Sequence, residues 1–335
     1  MNEDNKVAVV TGASSGIGLA TAVEFAQNGY DVVLAARREV ELHDTALECE
    51  AYGVSTLVVQ TDTADALAVD ELAARAVEQF GRIDVWVNDA AVYLAGKLED
   101  IPVSDMQQLM NTNFFGYVYG SRVALTCFKE QGFGTLINIS SVNAAAPQPY
   151  ISIYSASKAA VRALSESLRM ELILEGAAKT IHVCTVMPAS IDTNLYQNGA
   201  NYTGHEIKAL EPVYDPHEVA RKVVQLASTP KREVIVGAAG QMMAMQNTMM
   251  PAMYERQIAY YTKKDMLSDE PEDVTRGNLY EPIPYNRGVY GGWRQRRVRA
   301  DYLNVGVVAG VSLLVSIGLT GYGLWKMMHR RSSEI

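Results

Sequence analysis

The sequence predicts a doubly wound α/β domain, residues 1–240, built on a seven-stranded parallel sheet. Short, continuous β-branched runs alternate with helical patterns, which is how strands buried on both faces read. The first helical patterns stop at Gly29, Gly53 and Gly81, as left-handed C-terminal caps require. A glycine-rich loop joins the first run to the first helix, as in a βα unit that holds a ligand at the strand ends.

The elements follow in order. Lys6–Val10 is a strand ended by Thr11-Gly12, and Ile17–Asn28 a helix. Asp31–Ala36 is the second strand, Glu39–Tyr52 a helix, and Val54–Gln60 the third strand. Asp65–Phe80 is a helix and Ile83–Asn88 the fourth strand. Ser104–Gln131 reads as one long helix, followed by a fifth strand at Gly134–Ser140. Tyr154–Glu175 is a helix and Thr180–Met187 the sixth strand. Pro216–Ser228 is a helix capped by Asp215, and Glu233–Val236 closes the sheet.

Beyond the domain come a Met-rich extension (241–266), a Pro/Gly linker with a basic juxtamembrane end (267–301), an uncharged segment (302–325) and a short tail (326–335). The Met-rich stretch fits an adaptable apolar wall, core or dimer packing, or a lipid-facing surface. The linker, fully extended, would reach on the order of 110 Å. Its Tyr280, Tyr285 and Tyr290 offer the alternative that it lies against the body.

The chain has 335 residues, 48% hydrophobic, with a net charge of −9, which excludes a disordered chain and a nucleic-acid binder by bulk electrostatics. From Arg294 to Ile335 the net charge is +5, leaving −14 for the rest. Val305–Trp325 is 21 residues long, enough to cross a bilayer core of ~30 Å. Tyr302, Tyr322 and Trp325 lie near the ends of the uncharged segment, and Gly306-Val-Val-Ala-Gly310 is a GxxxG match. A single-pass C-terminal membrane anchor is therefore expected, with the body in the cytoplasm and residues 326–335 across the membrane. Homo-oligomerisation is expected too. Cys49, Cys127 and Cys184 are far apart, and the five histidines form no ligand spacing, so no metal site is assigned.

Thr11–Gly18 reads TGASSGIG. Gly12, Gly16 and Gly18 would let the backbone approach a pyrophosphate, with Ser14, Ser15 and Ile17 beside it at a helix N-terminus. At the end of the second strand, where an acid would favour a free ribose 2′-hydroxyl, Ala36 is followed by Arg37 and Arg38. Two guanidiniums without a carboxylate suit a 2′-phosphate, so NADP(H) is preferred, with NAD(H) the alternative. Tyr154 and Lys158 are spaced i, i+4 on a helix, so the ammonium can lie beside the phenol. With the charge of an oxidised nicotinamide, it would lower the Tyr154 pKa from ~10 and make the phenol an acid/base near neutral pH. Ser141, at the end of the fifth strand, could hold a substrate oxygen.

Over roughly residues 5–240 the chain resembles the short-chain dehydrogenase/reductase family, whose fold is of Rossmann type. The resemblance implies hydride transfer between nicotinamide and an alcohol or carbonyl, with Asn113, Ser141, Tyr154 and Lys158 as the catalytic set. Asn113 is similar to the asparagine that anchors a proton-relay water, and Lys158 to the lysine that binds the nicotinamide ribose. Asn88-Asp-Ala-Ala91 looks like the N-N-A-G segment, which implies Asn88 and Ala90 near the cofactor. Asp62 matches a carboxylate that touches the adenine amino group. Pro188-Ala-Ser-Ile-Asp-Thr193 resembles a segment holding the carboxamide through Ile191 and Thr193. Ala91 and Ala189 depart from the family's usual glycines. In the family, the region matching Asn194–Tyr214 is a mobile lid over the substrate.

Two functions follow as expectations. One is a membrane-anchored NADP(H)-dependent oxidoreductase acting on a hydrophobic alcohol or carbonyl. The other is a membrane-tethered NADP(H)-binding scaffold or redox sensor without turnover. A substrate carrying a sugar or nucleotide would need a larger C-terminal domain than residues 241–300 suggest.

Overall fold

The computed structural model describes residues 5–285 and 287–294. The described residues up to Gly291 form one compact unit. The uncharged stretch 302–325 expected to span a membrane lies outside the described residues, as does the tail. Among the described residues no helix is long and apolar enough to cross a membrane.

The main sheet has seven strands: β1 (Val7–Thr11), β2 (Asp31–Ala36), β3 (Thr56–Gln60), β4 (Val85–Asn88), β5 (Gly134–Ile139), β6 (Ile181–Pro188) and β7 (Glu233–Val236). All pairings are parallel, in the order β7-β6-β5-β4-β1-β2-β3. Each strand feeds two cores by alternation. Ala8 and Val10 of β1 and Val32 and Leu34 of β2 enter one cluster, while Val7, Val9, Val33 and Ala35 enter the other. Chain direction along the sheet reverses between β1 and β4, so the loops after these two strands open a crevice at their C-terminal ends.

Helices cover both faces: α1 (Gly16–Gln27), α2 (Glu39–Glu50), α3 (Ala66–Phe80), α4 (Val103–Met110), α5 (Gly116–Gln131), α6 (Ser152–Leu174), α7 (Leu195–Asn198), α8 (Pro216–Ser228), α9 (Ala238–Met249) and α10 (Pro251–Tyr261). Helix α1 packs between α2 and α8, whereas α3, α5 and α6 lie on the other core. The Asp215 carboxylate accepts from the His217 N–H at 2.9 Å, capping α8 as expected. Gly81 takes φ 74° at the end of α3, the left-handed cap that a β-carbon would strain.

One element differs from the sequence expectation. The helix expected over 104–131 is split by a π-helical turn, Asn111–Phe115, between α4 and α5. The side chain of Asn113 is fully buried in that turn. It accepts from the Val92 N–H and donates to the Val92 carbonyl, both at 2.8 Å. Holding a carboxamide against the loop after β4 displaces one residue from the α-helical register.

The segment expected as a mobile lid is built into secondary structure. It contains α7, the pair Ala200–Asn201, parallel to Leu94–Ala95, and His205–Ile207, antiparallel to Leu267–Pro271. The segment expected as a linker lies along the body from 267 to 291, the alternative its tyrosines suggested. Thr275 and Asn201 exchange backbone hydrogen bonds of 2.8 and 3.0 Å, and Leu279 is fully buried beside Ile151 and Tyr154. In the Met-rich helices, Met243 packs on a small cluster with Tyr254 and Ile258. Met242, Met245, Met249, Met250 and Met253 are exposed.

Candidate active site

The β1 loop is held by its own strand. Thr11 Oγ donates to the Val87 carbonyl at 3.2 Å and accepts from the Asp89 and Ala90 N–H groups at 3.0 and 3.2 Å, tying the loops after β1 and β4 together. The glycines are required by close approach. A β-carbon on Gly18 would sit 2.3 Å from the Gly12 carbonyl oxygen, and one on Gly12 would sit 3.0 Å from the Ala90 backbone. One on Gly16 would reach the Thr193 side chain at 3.4 Å, so this loop also faces the segment after β6.

One cleft joins these parts. Gly12, Ser14, Ser15, Gly16 and Ile17 line it, with Arg37, Arg38 and Asp62 at one end and Ala90, Pro188, Ile191 and Thr193 along it. Ser141, Tyr154 and Lys158 line its inner end. Three predicted residues do not line it. Gly18 lies under the loop. Asn88 is buried in the sheet, donating to Asn138 Oδ1 at 2.9 Å and accepting from Trp86 Nε1 at 2.8 Å. Asn113 is engaged with Val92, as above.

Ser141 Oγ accepts from the Asn143 N–H at 3.1 Å, capping a short 3₁₀ turn, and Ser141 and Tyr154 line the cleft together. The Lys158 ammonium donates to the Tyr117 hydroxyl at 3.0 Å and the Ile139 carbonyl at 2.9 Å, and lies 5.9 Å from the Tyr154 ring centre. Burial pushes the Tyr154 phenol above its ordinary value, with Ser141 opposing the shift. Burial likewise holds Lys158 below the usual lysine range, opposed by the Asp89 carboxylate. Asp89 is raised by burial, opposed by Lys158 and by the Gly18 N–H.

Both departures from the family's usual glycines, Ala91 and Ala189, line the cleft. The Ala189 methyl faces Gly237 and Gly240, whose own β-carbons would lie 2.9 and 3.0 Å from it. Ala91 lines the cleft beside Ala90.

Several lining residues carried no sequence signal. The Tyr93 ring lies 5.2 Å from those of Tyr154 and Tyr196, tilted against the first and edge-to-face with the second, and Leu210 and Met266 line the same cleft. Asn143, Gln148 and Lys208 supply polar groups there. At the other end, Asn278, Pro282 and Ile283 line the cleft from the segment read as a linker.

The sequence matches the short chain dehydrogenase family over residues 6–202. This chain is a short-chain dehydrogenase. An uncharacterized oxidoreductase of Bacillus subtilis, YxnA, is 32% identical over 320 residues, covering 92% of this chain and 89% of the relative. That share is too large to be confined to residues 1–240. An uncharacterized oxidoreductase of Staphylococcus aureus (strain USA300) is 35% identical over 68% of this chain and 93% of its own length. Among solved structures, the alcohol dehydrogenase of Thermococcus sibiricus, complexed with 5-hydroxy-NADP, is similar with a TM-score of 0.60 and 28% identity. The match covers 70% of this short-chain dehydrogenase and 96% of that chain.

Proposed function

We propose that this short-chain dehydrogenase transfers hydride between a nicotinamide dinucleotide and an alcohol or carbonyl substrate, with Tyr154 as acid/base. The observation that carries the reading is convergence in one cleft. The glycine loop and Arg37/Arg38 lie towards one end, and Ser141, Tyr154 and Lys158 at the other. The residues fit the cofactor. The glycine cradle is closed to any β-carbon at Gly18, and the Asn278 Oδ1 atom is buried at the arginine end without a partner among the described residues.

Gly12–Gly18 would hold the pyrophosphate, Arg38 a 2′-phosphate, and Pro188–Thr193 the carboxamide end. When bound, the cofactor supplies or accepts the hydride. Ser141 orients the substrate oxygen from the same end of the cleft as Tyr154. Tyr154 gives its proton to that oxygen in reduction and removes it in oxidation. Lys158 puts a positive charge at the same end of the cleft, where it favours the phenolate over the phenol. Asn113 braces the loop after β4 on which Tyr93 stands. Tyr93, Tyr196, Leu210 and Met266 favour a substrate with a large apolar part. Arg38, together with 5-hydroxy-NADP in the similar Thermococcus enzyme, favours NADP(H). We further propose that the uncharged residues 302–325 attach the enzyme to a membrane.

The test is a panel of apolar ketones, aldehydes and alcohols assayed with NADPH, NADH and their oxidised forms. Turnover that is faster with the phosphorylated cofactor supports the reading. Tight cofactor binding without turnover of any carbonyl or alcohol would replace it with the scaffold reading.

A further inference from the structure

Residues 278–283 run along the Arg37/Arg38 end of the cleft, and 287–291 continue past Gly16, Asn194 and Asp192. Arg37 donates to the Asn278 and Tyr280 carbonyls, both at 2.7 Å. The Gly16 N–H, at the start of α1, donates to the Gly288 carbonyl at 3.0 Å. Arg287 pairs with Glu41 of α2 at 2.8 Å. On the far side the Tyr280 hydroxyl donates to buried Asp105 at 2.9 Å, and the Asn278 N–H to the Asn198 carbonyl at 2.8 Å. The cleft continues beneath this strap, with Asn278, Pro282 and Ile283 as its outer wall.

The chemistry of that wall matches an adenosine. Asn278 Oδ1 is a buried acceptor with no donor among the described residues, an arrangement that is costly unless a ligand or water supplies one. An adenine amino group or a ribose hydroxyl is such a donor. Pro282 and Ile283 offer apolar surface to a purine face. Arg37, meanwhile, has both terminal nitrogens committed to strap carbonyls. Arg38 reaches the strap by a single 3.5 Å bond to Ile283 and otherwise contacts Ser14.

We infer that the strap completes the adenosine subsite: Asn278 accepts a hydrogen bond from the adenosine half, Pro282 and Ile283 cover it, and Arg37 is a positioning residue that holds the strap. Exchange of the dinucleotide then requires the strap to part. The inference rests on the nicotinamide-dinucleotide reading above. It separates the two arginines that the sequence pairs, leaving Arg38 as the phosphate discriminator.

The experiment is stopped-flow dissociation and equilibrium binding of NADPH and NADH to the full chain, wild type against Asn278→Ala, Arg287→Ala, Arg37→Ala and Arg38→Ala. Thermal melts establish that each variant is folded. Asn278→Ala is expected to weaken both nucleotides about fivefold, the effect of one hydrogen bond. Arg287→Ala, a surface change outside the cleft lining, and Arg37→Ala are expected to speed dissociation of both nucleotides alike, by about threefold and about tenfold. Arg38→Ala should weaken NADPH selectively. Dissociation rates and affinities within twofold of wild type for Asn278→Ala and Arg287→Ala overturn the inference, as does an Arg37→Ala effect confined to NADPH. If Arg37→Ala does not fold, the first two variants decide. A wild type that binds neither nucleotide overturns the cofactor reading itself, and the strap assignment with it.

Discussion

The Lys158 ammonium donates a 3.0 Å hydrogen bond to the Tyr117 hydroxyl, whose own proton goes to the Ile139 carbonyl at 2.9 Å. Helix α6 places Lys158 one turn beyond Tyr154, but α5 and β5 decide where its charge rests. Tyr117→Phe leaves a buried ammonium with one protein partner fewer. The expected loss is about 1–3 kcal/mol of unfolding free energy in urea titration. A loss under about 0.5 kcal/mol, the range of an ordinary surface change, would show that the ammonium does not depend on Tyr117.

Asp89 titrates against the fold. Burial raises its folded-state pKa above the unfolded value. Its contribution is therefore fully present below the unfolded pKa and lost as pH rises through the folded one. Asp89→Asn keeps an acceptor for the Gly18 N–H and removes the titration. The variant should melt higher than wild type at neutral pH, with the difference shrinking towards pH ~4, near the ordinary carboxylate pKa. Melting curves that stay parallel from acid to neutral pH would contradict this.

Gly18→Ala puts a methyl carbon 2.3 Å from the Gly12 carbonyl and 2.8 Å from Asp89. The Gly12 carbonyl is backbone and cannot swing away as the Asp89 carboxylate can, so the loop must shift. Nicotinamide-nucleotide affinity should fall at least about tenfold, roughly 1.4 kcal/mol, in a protein that still folds. Calorimetric titration checks it, and wild-type affinity would remove the loop from the cofactor site.

Leu279 separates a strap from a linker. It is fully buried in the cluster that contains Tyr154 and Ile151. Leu279→Ala should cost about 2–5 kcal/mol, as for other core leucines. In a linker merely passing over the surface the change would stay within about 0.5 kcal/mol.

Much of this was legible because it is local. Continuous β-branched runs such as Asp31–Ala36, and glycines such as Gly81 at helix ends, are written in neighbouring residues, and the strands fell within two residues of expectation. The Tyr154–Lys158 spacing puts both residues in the cleft for the same reason. What was not legible depends on distant partners. The π turn at Asn111–Phe115 exists because Asn113 bonds Val92, and Asn88 turns into the sheet towards Asn138 and Trp86. The Tyr154 phenol is governed by its burial more than by the lysine four residues on. The strap was hardest. Its Pro and Gly content reads as a linker and its tyrosines as a segment against the body; Leu279, the carbonyls that meet Arg37 and the Arg287–Glu41 pair decide for the second.

The account's central claim is that the Tyr154 hydroxyl moves the substrate proton. The most direct measurement is steady-state NADPH-dependent carbonyl reduction by wild type and Tyr154→Phe, with cofactor affinity measured on the same samples. The account predicts a fall in kcat of about 10²–10⁴-fold with cofactor affinity within a few-fold of wild type. Equal turnover by the two proteins would contradict it.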